Sequence, residues 1–315
     1  MLRDYHPMNA ATLMDRVFDL YKNTFKVQIA FSLIIGIISF TLMMVLGIAL
    51  AVGVSAVIAS SGGLYLYDHS IVWAVGLTLL AILPLYVGWL YLSASGHILI
   101  SKQSFYDDPI EMPIGDTINA FFRVMSAALA QIILSLPWFF LLAFIIYLAT
   151  SGFGDIFDFI ISIPPLTLVL TGFVYVIIYV IYSNIFALSV PVALFEKRLF
   201  FATVTRSYQL LKGNFWSILG LRMLWAVLVY LISYSAQSLM MVIIAIVAAL
   251  AGNVIEFTEL WFATSTLQIY ASLFIGIIVG PMEGIMTALI YFNQKIKKDG
   301  LDIEIGLHRL SKNAL

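Results

Sequence analysis

The stretch Pro191-Val-Ala-Leu-Phe-Glu196-Lys197-Arg198-Leu-Phe200-Phe-Ala-Thr-Val204-Thr-Arg206-Ser-Tyr208-Gln-Leu-Leu211-Lys212-Gly-Asn-Phe215-Trp216 decides how this chain is read. An apolar run descends to Pro191 and stops at the charged cluster Glu196-Lys197-Arg198. Phe200, Val204, Tyr208, Leu211 and Phe215 then recur at helical spacing, with Arg206, Gln209 and Lys212 on the other side. That pattern predicts an amphipathic helix lying at a membrane surface. From Trp216 the chain turns apolar again, so the unit reads as a descending span, a basic interfacial helix and an ascending span.

Composition agrees with this reading. Of the 315 residues 62% are hydrophobic and 10% are charged, against about 25% charged in a soluble domain. The class is therefore an all-α polytopic membrane protein. With no cysteine, disulfides, thiolate metal sites, iron–sulfur clusters and Cys-linked lipid anchors are excluded. The polar first 26 residues are expected to be retained rather than cleaved.

Apolar runs of about 20 residues mark membrane crossings. Six are read, over 27–50, 72–96, 125–148, 165–190, 216–245 and 265–292, all in a single integral membrane domain of 1–315 whose residues 293–315 form a short tail. All 16 Lys and Arg fall on one side of this arrangement, while the opposite loops carry only Asp68, Asp155, Asp158, Glu256 and Glu259. The positive-inside rule then places both termini in the cytoplasm. Arg16-Val-Phe-Asp-Leu20-Tyr-Lys22-Asn-Thr-Phe25 matches Arg206–Phe215 at four of ten positions, and 116–123 has the same character, with Asp116 as its expected N-cap. The chain thus reads as three hairpins, each preceded by a cytoplasmic interfacial helix. Past Gly300, the alternation Leu301, Ile303, Ile305, Leu307 predicts a short extended segment. Tyr65, Tyr67, Trp73, Trp138, Trp216 and Trp261 fall at predicted boundaries as interfacial anchors.

Glu283 is the sole acid inside a predicted span, in Gly276-Ile-Ile-Val-Gly280-Pro281-Met-Glu283-Gly284. Glycines at every fourth residue allow a second helix to approach closely, and Pro281 frees a backbone carbonyl. A carboxylate there suits either an ion or polar-ligand site or a structural ion pair. Arg222 lies about six residues past Trp216, ~9 Å deep at 1.5 Å per residue, so an Arg222–Glu283 pair is the expectation. Asn184 and Gln131, Gln237 and Gln268 are read as cross-helix hydrogen-bonding groups. His97 is read as a hydrogen-bonded histidine, since His6, His69 and His308 have no metal-ligand spacing with it. Arg198, Arg206 and Lys212 are read as contacts to anionic lipid headgroups. No H-E-x-x-H, G-x-S-x-G or phosphate-cradling glycine motif is found, and Asp107-Asp108 beside Pro109 reads as a solvated turn.

The run Pro191–Trp216, the opening Leu13-Met-Asp-Arg16-Val-Phe-Asp-Leu-Tyr-Lys22 and the segment Tyr291-Phe-Asn293-Gln-Lys295-Ile-Lys297-Lys-Asp-Gly300-Leu-Asp302 resemble the glycerophosphoryl diester phosphodiesterase membrane-domain family of prokaryotic integral membrane proteins. Where that family often has Asp and Arg after the last span, this chain has Asn293, Lys295 and Lys297. The resemblance implies a multi-pass protein of a prokaryotic plasma membrane. Some relatives carry a fused catalytic barrel; with about 20 residues after the last span, that barrel is expected to be absent here and the enzyme name not to transfer. The expected function is a non-enzymatic scaffold or accessory subunit that contacts membrane lipids and a membrane-protein partner, with no cofactor and no nucleic acid. The alternative is a small transporter or permease with Glu283 in its pathway.

Overall fold

The computed structural model describes residues 7–60, 69–106, 108–151, 165–250, 257–301 and 303. Among them the chain is all-helical: α1 (Ala10–Ser60), α2 (His69–Phe105), α3 (Ile114–Asn119), α4 (Phe121–Ser151), α5 (Pro165–Ser183), a 3₁₀ turn (Asn184–Phe186), α6 (Ser189–Phe195), α7 (Phe200–Leu211), α8 (Phe215–Leu250) and α9 (Phe257–Asp299). Among the described residues five stretches are long and apolar enough to cross a membrane: Ala10–Thr41, Phe121–Trp138, Gly172–Phe195, Phe215–Ile243 and Phe274–Asp299. The run 72–96 lies within α2. Asp68, Asp155, Asp158, Glu256, Tyr65, Tyr67, Asp107, His6 and His308 lie outside the described residues, as do the side chains of His69, Trp73, Trp261 and Gln268.

α9 is the hub, packing against α1, α2, α6, α7 and α8. From Ile285 to Gln294 it is buried on nearly every side, as expected of a helix that is apolar around most of its circumference. α1 offers it the stripe Leu13, Val17, Leu20, Thr24, Gln28, Phe31, spaced by three and four residues and buried throughout. The chain before α1 is pinned to the same helix. The Asn293 amide accepts from Met8 N–H at 2.8 Å and donates to Met8 C=O at 3.0 Å, while Asn9 caps α1 by accepting from Thr12 N–H at 2.8 Å.

Two helices carry internal prolines, and beside each a phenol from a neighbouring helix bonds a backbone carbonyl. Pro281 cannot donate within α9, and one turn upstream the Ile278 carbonyl accepts the Tyr21 hydroxyl of α1 at 2.6 Å. In α4, Pro137 stands one turn below Leu134, whose carbonyl accepts the Tyr182 hydroxyl of α5 at 2.5 Å. Trp138 packs its ring against Tyr175 and Tyr182.

The three basic segments differ from one another, contrary to the repeat reading. Only α7 is a separate helix of more than two turns. The first segment is part of the continuous 51-residue α1. The second is reduced to the six-residue α3, where Asp116 sits in the first turn and Pro113 occupies the N-cap position. Glycine explains the contrast. Gly213 takes φ +91° just beyond α7, a left-handed conformation that ends a helix readily. The matching position in α1 is Asn23, which continues the helix. The fourth apolar run is also interrupted, breaking at 184–188 between α5 and α6. After Gly300, Leu301 and Ile303 are helical rather than extended, and 304–315 lie outside the described residues.

Of the three packing glycines, one makes a close approach. A Cβ on Gly284 would collide with the His97 Cβ of α2, whereas Gly276 and Gly280 face open space. Eight helical residues turn a direction by about 80°, so Gly284 points into the α2 seam while Gly276 lines the α8–α9 groove. Gly284→Ala is accordingly expected to destabilise by about 1–3 kcal/mol through forced separation of α9 from α2. Gly276→Ala should stay within about 0.5 kcal/mol of the parent. Thermal unfolding in one detergent compares them; equal effects would contradict this seam.

Candidate functional site

Two sites assemble from residues that the sequence singles out. The first lies within the membrane-crossing runs, between α8 and α9. A cavity of about 430 Å³ there is lined by Ser183, Arg222, Tyr230, Ser233, Glu283 and Thr287, among others. Val229, Ser233 and Glu283 are shared with a second cavity of about 200 Å³ that continues past Gln237, Gly276 and Gly280. The two form one groove with Glu283 in its middle, its side chain exposed to the opening.

The direct Arg222–Glu283 pair is not formed. Arg222 Nη1 donates instead to Asn184 Oδ1 at 3.1 Å, and no ion pair between described residues involves Glu283. Depth along the axis made the pair possible; direction decides against it, because the break after α5 puts a fully buried amide oxygen within reach of the guanidinium. Asn184 Nδ2 also faces the Phe215 carbonyl at 3.5 Å, so one side chain links the break to the start of α8. Of the other polar residues of this kind, Gln237 lines the groove and Gln131 has a buried Oε1 without a partner among the described residues.

The second site is the basic end of the bundle. α7 turns Thr203, Val204, Ser207, Leu210 and Leu211 inward, leaving Phe201 and Tyr208 on an exposed flank. The buried face is therefore rotated from the Phe200–Tyr208–Phe215 stripe. It is rotated because Ser207 is needed at the break: its Oγ accepts from Leu188 N–H at 3.2 Å and donates to Ile185 C=O at 2.7 Å. Unpaired backbone groups in a buried setting are costly, and this one hydroxyl serves two.

Glu196 then ties α6 and α7 to α9. Its carboxylate accepts from Arg206 Nε at 2.9 and 3.2 Å, from Arg198 Nε at 3.2 Å and from the Tyr291 hydroxyl at 3.3 Å, with Lys295 Nζ at 3.9 Å. Arg206 also pairs with Asp299. Burial disfavours the charged form of Arg206, but Glu196 and Asp299 outweigh it and hold its pKa above the ordinary value. Lys298 Nζ donates to the last carbonyls of α7, Gln209 and Lys212, at 2.5 Å each, the favoured place for a cation on a helix.

Among the residues read as lipid contacts, Arg206 is thus engaged by two carboxylates, Arg198 shares Glu196 while half exposed, and Lys212 is exposed. His97 is buried, with Nδ1 2.6 Å from Gln28 Oε1 and Nε2 3.4 Å from Ser32 Oγ. Sequence reasoning missed Ser207 and the pairing of Glu196 with α9. The latter had a signal: Tyr291, Lys295 and Asp299 stand at intervals of four, on one face of a helix.

Double-mutant cycles on thermal stability separate the contacts of Arg222. Coupling of Arg222 with Asn184 should reach about 1.5–3 kcal/mol, the range for a hydrogen bond to a charged group. Coupling of Arg222 with Glu283 should be clearly smaller. The reverse order would restore the ion pair.

Compared with family models, curated proteins and solved structures, the chain matches none.

Proposed function

We propose that the protein is a non-enzymatic scaffold or accessory subunit of a membrane complex in a prokaryotic plasma membrane. In this reading it crosses six times as three hairpins with both termini cytoplasmic, and its basic end engages lipid headgroups and a partner at the inner surface. The observation that carries it is the form of that end. Phe200 N–H donates to Ser126 Oγ of α4 at 3.3 Å, which joins α7, with Phe200, Phe201 and Tyr208 exposed, to α4, whose first residues Phe121 and Phe122 are exposed too. Aromatic side chains bordered by exposed cations such as Lys212 and Arg198 suit a membrane interface and a partner's surface equally. The resemblance to the phosphodiesterase membrane-domain family supports the multi-pass part of this reading through its motifs alone.

A second reading is favoured by the α8–α9 groove. A carboxylate exposed at mid-helix in an open groove is a place for an ion or polar substrate in a small transporter.

Gln209 is exposed on α7, and the chain lacks cysteine, so labelling reports orientation without background. Gln209→Cys should resist an impermeant maleimide in intact cells and react after lysis, with Ser61→Cys doing the opposite; reversed accessibility would overturn the orientation. For function, a stoichiometric partner retained in mild detergent and lost on Phe122→Glu, with Glu283→Gln having no effect, is the expected result. A flux into liposomes that Glu283→Gln abolishes would select the transporter instead.

A further inference from the structure

The basic residues at this end do not all point outward. A cavity of about 370 Å³ opens where α2, α3, α4, the 196–200 loop and α9 meet, and Lys102, Arg123, Lys197 and Lys295 line it against a single acid, Asp116. The four cations come from four separate parts of the chain: the end of α2, the start of α4, the loop after α6 and α9. Like charges from different elements repel when brought together, so such convergence needs a compensating anion or a structural reason. Lys295 has one in Glu196 at 3.9 Å. Lys102 has another, its Nζ lying 5.6 Å from the Phe195 ring centre and 5.8 Å from that of Tyr106. Arg123 and Lys197 form no side-chain hydrogen bond or ion pair among the described residues.

The backbone gives a second, independent sign. Lys197 takes φ +53° and Phe200 φ +47°, a left-handed conformation unfavourable for such residues and retained where the surroundings impose it. Glu196 on one side, held by Arg206, and Phe200 on the other, bonded to Ser126, fix the ends of this short loop. Held so, Lys197 lines the mouth of the cavity while remaining exposed, as Phe200 is. Tyr106, Tyr291 and Asn119 add polar groups to the same wall.

We infer that this cavity is a binding site for a phosphate group. The guanidinium of Arg123 suits two phosphate oxygens at once, and Lys197 and Lys102 act as point charges around them. The volume falls in the range of small-ligand sites and exceeds what a bare phosphate fills, leaving room for the group that carries it. The cavity lies at the ends of membrane-crossing helices, at the depth where basic pockets hold lipid headgroups. A soluble phosphate compound would present the same chemistry. This inference does not rest on the scaffold reading, since a transporter could carry the same site.

The test is calorimetric titration of the full chain in phosphatidylcholine nanodiscs, with inorganic phosphate and with dihexanoyl phosphatidic acid as probes and dihexanoyl phosphatidylcholine as the control. Saturable one-site binding of a phosphate probe, and none of the control, is expected. Arg123→Gln and Lys197→Gly should each weaken it about tenfold or more, the loss of one charge-assisted contact. Lys22→Gln, at an exposed position of α1 away from the cavity, should change it less than about twofold. Glycine favours the left-handed backbone at 197, so Lys197→Gly removes the amine at undiminished thermostability and tests the site apart from the fold. Much tighter binding of phosphatidic acid assigns a lipid headgroup; equal affinities assign a soluble phosphate compound. No saturable binding of either probe, or binding indifferent to both Arg123→Gln and Lys197→Gly, would overturn the site.

Discussion

A helix that breaks inside a membrane-crossing run exposes N–H and C=O groups that lipid cannot satisfy. The rest of this structure follows from how the break at 184–188 is repaired. Ala187 N–H returns to the Asn184 carbonyl at 3.1 Å and Ser189 Oγ donates to the Phe186 carbonyl at 2.7 Å, while Leu188 N–H and the Ile185 carbonyl are served from outside, by Ser207 on α7. α7 is therefore a structural part of the bundle before it is a surface helix. Cross-helix bonds of the same kind stand beside the prolines, where Tyr21 and Tyr182 bring hydroxyls to the Ile278 and Leu134 carbonyls, one turn above Pro281 and Pro137. In each case a short polar side chain or a phenol crosses between helices to a backbone oxygen.

Because Ser207 must face the break, α7 has a fixed rotation and Arg206 has a fixed direction. That direction meets Glu196 and Asp299. Removing either carboxylate would leave a guanidinium with 19% of its side chain exposed short of a partner, and breaking a desolvated pair is costlier than never having made it. The charges that hydropathy reading assigns to one membrane face thus divide by task. Arg206 and Lys298 hold α7 on α9, and Lys295 joins the end of α6 to α9 through Glu196; Lys212 and Arg198 remain at the surface; Lys102, Arg123 and Lys197 converge on one cavity.

The legible part of this fold was one-dimensional. Apolar runs and glycine and proline positions can be read along the chain, and Asn184 and His97 stood out as polar residues in apolar surroundings that needed partners. What could not be read was azimuth. Arg222 and Glu283 were at compatible depths, yet the guanidinium turns to Asn184. Gly276 and Gly284 shared a spacing, yet their faces diverge by the helix's own drift. The likeness of Arg16–Phe25 to Arg206–Phe215 hid one decisive difference, Asn23 against Gly213, and with it the contrast between a continuous helix and a terminated one. The basic cavity was out of reach for the same reason, since its four cations are far apart in sequence and meet only in the packed end.

The central claim is that α7 completes the broken run through Ser207. Hydrogen exchange of the protein in nanodiscs tests it directly. In Ser207→Ala, amides of 184–195 and 203–211 should lose protection together, because Leu188 N–H and Ile185 C=O are left unpaired, while 285–292 of α9 keep theirs. Unchanged exchange across 184–195 in that variant would contradict the account.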